Sequence, residues 1–306
     1  MKQYSVIIPV YNGETTVRPL FERLKTFFDG NNYTFEVIFV YDCGKDNSWE
    51  TLVKIKEDFA DLVKIIKLRR NFGQHNALIC GFDYASGNFI ITMDEDLQHA
   101  PEDIAKLILK QKEGNYDVVY GKYEISKHST FRNTTSFFFK KLISIGIPEI
   151  HPDYSAFRLI KSPVALPTIE MRNSYTFLDG YLSWITSNMS SCLVSHNERQ
   201  GGISAYNFVK LMNHSINIFV TFSNYPIRFL TKLSFMVLLL TSFYSLYILI
   251  RKLFLDDFAM GYPSLIIIIG FGIGLIMMAL GIIGEYIYRI NLKTTKRPNY
   301  IIEKVL

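Results

Sequence analysis

The sequence predicts an α/β protein in which a mostly parallel sheet carries helices on both faces and is followed by two transmembrane helices. Short β-rich runs alternate with helical patterns along the first part of the chain, and this alternation is typical of a parallel sheet that is covered on both faces. Near the C-terminus, residues 233–250 and 258–284 carry no charged side chain. Uncharged stretches of this length are typical of helices that cross a bilayer.

The elements of the first part are predicted in order. The strands cover residues 4–10, 35–40, 63–68, 89–93 and 117–121, and the helices cover residues 14–28, 48–59, 76–85 and 101–112. Ligands of such sheets bind beyond the carboxyl ends of the strands. Three of the strands end in polar clusters, at residues 11–14, 42–46 and 94–96. We therefore expect these clusters to share one pocket.

The C-terminal part predicts a membrane anchor, with a buried core helix as the alternative for each uncharged stretch. Positive residues collect on the cytoplasmic side of membrane proteins, and here they flank the two stretches at Arg228, Lys232, Arg289, Lys293, Lys296 and Arg297. The expected organisation is a cytosolic domain over residues 1–226, two spans over residues 227–289 and a cytosolic tail over residues 290–306. Residues 207–232 predict interfacial helices, with core packing as the rival interpretation.

The start of the chain and its overall charge argue against an exported protein and against a nucleic-acid-binding protein. The apolar run at residues 4–10 is too short for the core of a signal peptide, so we expect the polar part to stay in the cytosol. The formal charge of +5 is attributed mostly to the membrane edges, and no nucleic-acid partner is expected. The 3 cysteines form no pair with the spacing of a zinc site.

Three consecutive acids, Asp94, Glu95 and Asp96, follow the fourth predicted strand. On an extended strand end, Asp94 and Asp96 point the same way, and two adjacent carboxylates stay ionised cheaply only beside a cation. Mg²⁺ usually takes one or two carboxylates together with substrate phosphates. The pair therefore predicts a site for Mg²⁺ or Mn²⁺ and a phosphorylated ligand. The alternative is that the acids simply favour the start of the following helix.

Several motifs together resemble a known family. They are Val10-Tyr11-Asn12, Asp42-x-x-x-Asp46, Arg70-Asn71-Phe72-Gly73-Gln74, Asp94-x-Asp96-x-Gln98, Asp153-x-x-x-Phe157-Arg158-Leu159 and Arg199-x-x-Gly202-x-Ser204-x-Tyr206. In this order they are similar to the family 2 glycosyltransferases of the GT-A fold, and more narrowly to the polyprenyl-phosphate glycosyltransferases. The resemblance extends over nearly the whole chain.

The resemblance implies roles for individual residues. Those implied for nucleotide-sugar binding are Pro9, Tyr11, Asn12, Glu14, Asp42, Asn71, Gly73 and Gln74. Those implied for catalysis are Asp94, Asp96, Gln98, Asp153 and Arg199, with Asp94 and Asp96 as the metal ligands. Bringing two anionic substrates together also calls for cations, and arginine binds two phosphate oxygens at once. The residues expected to contact the acceptor phosphate are Arg132, Arg158, Arg199 and Ser204.

The resemblance also implies the reaction. One sugar would move from a nucleoside diphosphate sugar, UDP being favoured over GDP, to polyprenyl (undecaprenyl) phosphate at the cytosolic face of a bacterial-type inner membrane, with inversion. The attacking phosphate oxygen is already largely ionised near neutral pH, so Asp153 is open to two roles, general base or positioning residue.

Other interpretations of the same sequence differ in what they require. A non-catalytic, membrane-anchored scaffold predicts the loss of the metal acids, and both acids are present. A glycosyltransferase with another lipid acceptor stays open, whereas a processive synthase would need a Q-x-x-R-W segment that the sequence lacks. Glycines at positions such as Gly270, Gly274 and Gly281 would allow close packing of the two spans, which leaves a homo-oligomer open, and the sequence does not predict the oligomeric state.

Overall fold

The computed structural model describes residues 2–123, 146–171, 175–195, 262–294 and 298–306, together with scattered positions between 212 and 254. The described residues form one eight-stranded mixed sheet in the order β7-β5-β6-β4-β1-β2-β3-β8. The strands are β1 (Tyr4–Val10), β2 (Phe35–Tyr41), β3 (Val63–Leu68), β4 (Phe89–Thr92), β5 (Val118–Tyr123), β6 (Arg158–Lys161), β7 (Met189–Val194) and β8 (Ile302–Val305).

The centre of the sheet is parallel and two strands reverse direction. Strands β4, β1, β2 and β3 run parallel to one another, and β5 runs parallel to β7. Strand β6 is antiparallel to both β4 and β5, and β8 is antiparallel to β3. Because β6 reverses between β4 and β5, those two strands point the same way, and their carboxyl ends lie at the same edge of the sheet.

Helices cover both faces of the sheet, as the sequence predicts. They are α1 (Val17–Gly30), α2 (Ser48–Asp58), α3 (Gln74–Asp83), α4 (Ile104–Gly114), the short α5 (Ser162–Ala165), α6 (Leu178–Ile185) and α7 (Tyr262–Thr294). Apolar residues of α1, α2 and α4 pack on one face, and those of α3 and α6 pack on the other. Central strands such as β1 and β2 are buried along their whole length because both faces are covered.

The first five strands lie within a few residues of their predicted positions, but the second half of the sheet differs from the prediction. Strands β6, β7 and β8 are not among the predicted elements, and the reversed direction of β6 and β8 makes the sheet mixed. Residues 290–306, expected to be a tail, contribute β8, which pairs with β3 through Ile66↔Val305 and Lys67↔Lys304.

The prediction of two C-terminal transmembrane helices is wrong, and so is the inner-membrane location with two spans that depends on it. Within the part of the chain that the structure describes, no helix is both long enough and apolar enough to cross a membrane. The prediction rested on the absence of charge alone, whereas a span also depends on the length and the apolar character of the helix that forms. Helix α7 includes residues of the second stretch but continues through Glu285 and Arg289, which form an ion pair at 2.7 Å.

The charged end of α7 lies against the rest of the protein. The guanidinium of Arg289 donates hydrogen bonds to Thr221 at 2.8 Å and to Asn217 at 3.4 Å, and Tyr286 donates to the carbonyl of Ser223 at 3.3 Å. The aromatic ring of Phe222, in the same segment, packs on Trp184 of α6. Most of the predicted interfacial stretch, residues 207–232, lies outside the described residues.

Candidate active site

The loops after β1 and β2 interlock at the carboxyl edge of the sheet. Asn12 adopts a left-handed backbone conformation (φ 61°), and its side-chain oxygen accepts a hydrogen bond from the backbone N–H of Lys45 at 2.6 Å. A Cβ at Gly44 would lie only 2.8 Å from the Asn12 backbone nitrogen, so only glycine allows this close approach. The next residues are tied in the same way, because Glu14 accepts hydrogen bonds from Asn47 at 3.2 Å.

Asp42 anchors a third loop. This buried residue accepts hydrogen bonds from the backbone N–H groups of Phe72 at 2.7 Å and Gly73 at 2.8 Å. Burial raises the pKa of the Asp42 carboxyl, although the two hydrogen bonds act in the opposite direction. Gly73 has φ 90° and precedes α3, so Asp42 fixes the turn from which this helix starts.

Helix α3 in turn reaches the acids. Gln74, its first residue, donates a hydrogen bond from Nε2 to Oδ1 of Asp94 at 2.5 Å. Asp96 accepts a hydrogen bond from the backbone N–H of Gln98 at 3.2 Å. Asp42 and Asp94, on different strand ends, are thereby connected through one short segment of chain.

The third acid of the cluster faces the first loop. Glu95 accepts a hydrogen bond from the backbone N–H of Tyr11 at 3.4 Å, and a Cβ at Gly13 would lie 2.8 Å from its Cγ. Burial and the neighbouring charge of Asp94 raise the pKa of Glu95 to about 8. Glu95 therefore faces the first loop and takes up a proton more readily than an ordinary glutamate.

An aromatic stack lies beside the segment that contains Asp94 and Asp96. His99 is buried, with its ring 5.7 Å from that of Tyr123 and 5.1 Å from that of Phe157. Burial, and the charges of Asp94 and Asp96, raise the pKa of the Tyr123 hydroxyl. Both aspartates are therefore close enough to Tyr123 for their charges to act on it.

Asp153 lies at the same edge, beside β5 and β7. Its Oδ1 is 3.0 Å from Nζ of Lys122, and its Oδ2 accepts a hydrogen bond from Ser191 at 2.8 Å. Partial burial would raise the pKa of Asp153, but the hydrogen bonds from Lys122 and Ser191 outweigh it and leave the pKa below its ordinary value.

Arg158 has a different position from the one that its predicted role requires. The residue is fully buried, its Nη1 donates to Asp179 on α6, and its Nε donates to Thr92 at 3.0 Å. A guanidinium enclosed in this way fits the attachment of α6 to the sheet and does not fit contact with an acceptor phosphate.

The structure describes some of the remaining predicted site residues. Pro9 is buried within β1, while Tyr11 and Asn71 are exposed at the edge. Arg132, Arg199 and Ser204 lie outside the described residues. Lys122, Ser191 and Asp179 have no role predicted from the sequence, because their partners lie 21 or more residues away and no local pattern marks such contacts.

Asp94 and Asp96 fit a divalent cation that also has a second source of ligands. Among the described residues, no group of three or more His, Cys, Asp and Glu side chains is arranged to hold a metal ion. Mg²⁺ commonly takes one or two carboxylates and completes its shell with water and phosphate oxygens. The two carboxylates therefore suit an ion that is bound together with a phosphorylated ligand.

Comparison with known proteins places this arrangement in context. The family model described as "Glycosyl transferase family 2" matches residues 5–165. An uncharacterized glycosyltransferase of Bacillus subtilis, YkcC, is 34% identical over 99% of this chain and 94% of its own length. A prophage-derived bactoprenol glucosyl transferase of Shigella flexneri is 31% identical over 98% of this chain and 97% of its own length.

Solved structures show the same fold. Glucosyl-3-phosphoglycerate synthase from Mycobacterium tuberculosis, crystallised with Mn²⁺, UDP-glucose and phosphoglyceric acid, superimposes with a TM-score of 0.53. The two sequences are 15% identical, over 72% of this chain and 78% of the synthase. At this identity the similarity concerns the fold alone, and it confirms the GT-A architecture that the motifs imply.

Proposed function

The chain belongs to glycosyl transferase family 2, and from this membership we propose that it transfers one sugar, with inversion, from a nucleoside diphosphate sugar to polyprenyl phosphate. The choice of polyprenyl phosphate as the acceptor rests on a single observation. The chain is related, over nearly the full length of each sequence, to bactoprenol glucosyl transferases of Shigella flexneri and Escherichia coli. The same relatives support glucose as the sugar. UDP is proposed as the nucleotide because structural neighbours bind UDP-glucose.

The donor is proposed to lie over the interlocked loops. Asn12, Asp42 and Gly73 shape the carboxyl edge beyond β1, β2 and β3, where nucleotides bind in open α/β sheets. The diphosphate would then reach Asp94 and Asp96 with Mg²⁺ or Mn²⁺, whose positive charge would stabilise the leaving group when bound. For this chain the role of the two aspartates is to hold that cation, and Gln74 keeps Asp94 in place.

The proposed reaction requires little proton transfer by the side chains of the protein. A phosphate monoester is largely ionised near neutral pH, so its oxygen can attack the anomeric carbon without a strong base. Attack from the side opposite the leaving diphosphate inverts that carbon. Stabilising the charge of the departing diphosphate is therefore the main catalytic task.

The proposal is tested with purified protein and a panel of radiolabelled donors. UDP-glucose, UDP-galactose and GDP-mannose are each incubated with undecaprenyl phosphate in detergent, with Mn²⁺, with Mg²⁺ or with excess EDTA. The expected result is lipid-extractable label from UDP-glucose that requires a divalent cation. Label from none of the donors, or equal label in EDTA, would contradict the proposal, and donor binding without transfer would favour a non-catalytic scaffold.

A further inference from the structure

Lys122 and Asp94 lie two residues after corresponding positions of β5 and β4, two strands that run in the same direction. Thr92 of β4 pairs with Arg158, Arg158 pairs with Tyr120 of β5, and Tyr120 pairs with Ser191. Asp94 lies two residues beyond Thr92, and Lys122 lies two residues beyond Tyr120. Asp94 lies just past the end of β4, and Lys122 is the fifth of the six residues of β5, where it pairs with Leu193 of β7. Both residues therefore lie near the carboxyl edge of the sheet.

The two side chains also share a face of the sheet. Tyr120 belongs to the apolar cluster that contains residues of α3 and α6, and side chains two apart on a strand point the same way, which places Lys122 on that face. Asp94 receives its hydrogen bond from Gln74 of α3, on the same face. One strand, β6, separates β4 from β5, so the backbones of Thr92 and Tyr120, two residues before Asp94 and Lys122, lie about 10 Å apart.

Lys122 is held without being enclosed. Its side chain is 47% exposed, and its Nζ lies 3.0 Å from Asp153, whose side chain is 23% exposed. Ser191 occupies the other oxygen of Asp153, and the Asp153 backbone N–H donates to Nδ1 of His151 at 3.2 Å. An ammonium group supported from one side keeps its remaining N–H donors for a ligand.

The location of Lys122 fits the acceptor better than the donor. Of the cations that the structure describes at this edge, Lys45 and Arg70 follow β2 and β3, on the side proposed for the nucleotide. Lys122 lies on the other side of Asp94. In-line attack brings the nucleophile to the sugar from the side opposite the diphosphate, so the acceptor phosphate needs a cation on this second side.

We propose that Lys122 binds the phosphate of the acceptor and that Asp153 is a positioning residue that holds Lys122. A general base needs an oxygen free to receive a proton and a pKa near the working pH. Both oxygens of Asp153 already have partners, and the lowered pKa of this carboxyl makes it a weak proton acceptor. This inference rests on the proposed function, since it names the group that binds the acceptor in that reaction.

Steady-state transfer from UDP-glucose to undecaprenyl phosphate tests the role of Lys122. We expect Lys122→Met to raise the KM for undecaprenyl phosphate at least tenfold. The Kd for UDP, measured by calorimetry, should stay within twofold of the wild-type value. Lys122→Arg should recover part of the lost acceptor affinity. Lys110→Met is the matched control, because Lys110 also pairs with an acid at 3.0 Å but lies on α4, and it should change neither constant. An unchanged acceptor KM in folded Lys122→Met would overturn the proposal.

Asp153→Asn separates positioning from proton transfer. If Asp153 only positions Lys122, this substitution should raise the acceptor KM severalfold. The kcat and the acidic limb of the pH–rate profile should stay nearly unchanged. A general base would instead lose on the order of 100-fold or more in kcat, which would refute the positioning role. If the wild type transfers no sugar to undecaprenyl phosphate, the proposed function fails and this inference fails with it. If the wild type is active and Lys122→Met is unaffected, only the inference is overturned.

Discussion

Individual carboxylates in this protein differ in role because their surroundings differ. Asp42 has its oxygens directed at two backbone N–H groups, and Asp179 faces the buried guanidinium of Arg158. Glu36, near the amino end of β2, accepts hydrogen bonds from Ser5 and Ser86 and lies 2.9 Å from Nζ of Lys64. Glu36 lies at the end of the sheet opposite the candidate active site, so its contacts stabilise the fold and not the reaction.

Glu36→Gln should lower the free energy of unfolding by about 1–3 kcal/mol, because an amide N–H₂ would face Lys64. Burial alone would raise the pKa of Glu36, but the hydrogen bonds from Ser5 and Ser86 and the contact with Lys64 leave it below the ordinary value. A lowered folded-state pKa gives stability that is complete above the unfolded-state value, about 4.3, and is lost as pH falls through the folded-state value.

Urea denaturation of wild type and Glu36→Gln between pH 3 and 7 measures this effect. The difference in unfolding free energy should be constant near neutral pH and should shrink below about pH 4, with UDP binding at pH 7 unaltered. A difference that grows as the solution becomes more acidic would contradict the assigned environment of Glu36.

At the residue scale, spacing along the chain predicted the acids but not their partners. Asp94 and Asp96 lie two residues apart and follow an evident strand, so the sequence marks them as a pair. The contact of Asp42 with Phe72 and Gly73, 30 and 31 residues away, depends on how loops meet after folding. The burial of Arg158 could not be inferred for the same reason, since Asp179 belongs to a helix that the sequence analysis did not predict.

At the element scale, strong local patterns explain which parts of the sheet were predictable. Strands β1 to β3 are continuous runs of six or seven residues dominated by Val, Ile and Phe. Strands β6 and β8 have four residues each and contain charged side chains, so their pairing is determined by the neighbouring strand and not by their own composition. Strand β8 also comes from a distant part of the chain and covers the edge of β3.

Substitution within β8 tests whether this strand contributes to stability. Lys304 pairs with Lys67 of β3 and its side chain is exposed, so Lys304→Ala should leave stability nearly unchanged. Lys304→Pro removes the backbone N–H and should lower the unfolding free energy by roughly 2 kcal/mol, with some self-association through the uncovered β3 edge. Denaturation and size-exclusion chromatography measure both effects, and equal stability of the two variants would mean that β8 adds nothing.

At the scale of the whole molecule, the sheet order brings distant segments to one edge. The segment that contains Asp94 and Asp96 follows β4, at the centre, with the loops of β1, β2 and β3 on one side and Lys122 of β5 on the other. The alternation of elements predicted this edge as the location of the site, because the carboxyl ends of parallel strands meet there. Absence of charge alone did not predict the C-terminal part correctly, since it does not report contacts such as that of Arg289 with Thr221.

The central claim is that Asp94 and Asp96 hold a divalent cation together with the donor diphosphate. Calorimetric titration of UDP into the protein, in Mn²⁺ and in excess EDTA, tests it most directly. Wild type, and the exposed-acid control Asp61→Asn, should bind UDP at least tenfold more tightly in Mn²⁺, whereas Asp96→Asn should bind UDP with equal affinity in both conditions. Full Mn²⁺-dependent binding by a folded Asp96→Asn variant would contradict the claim.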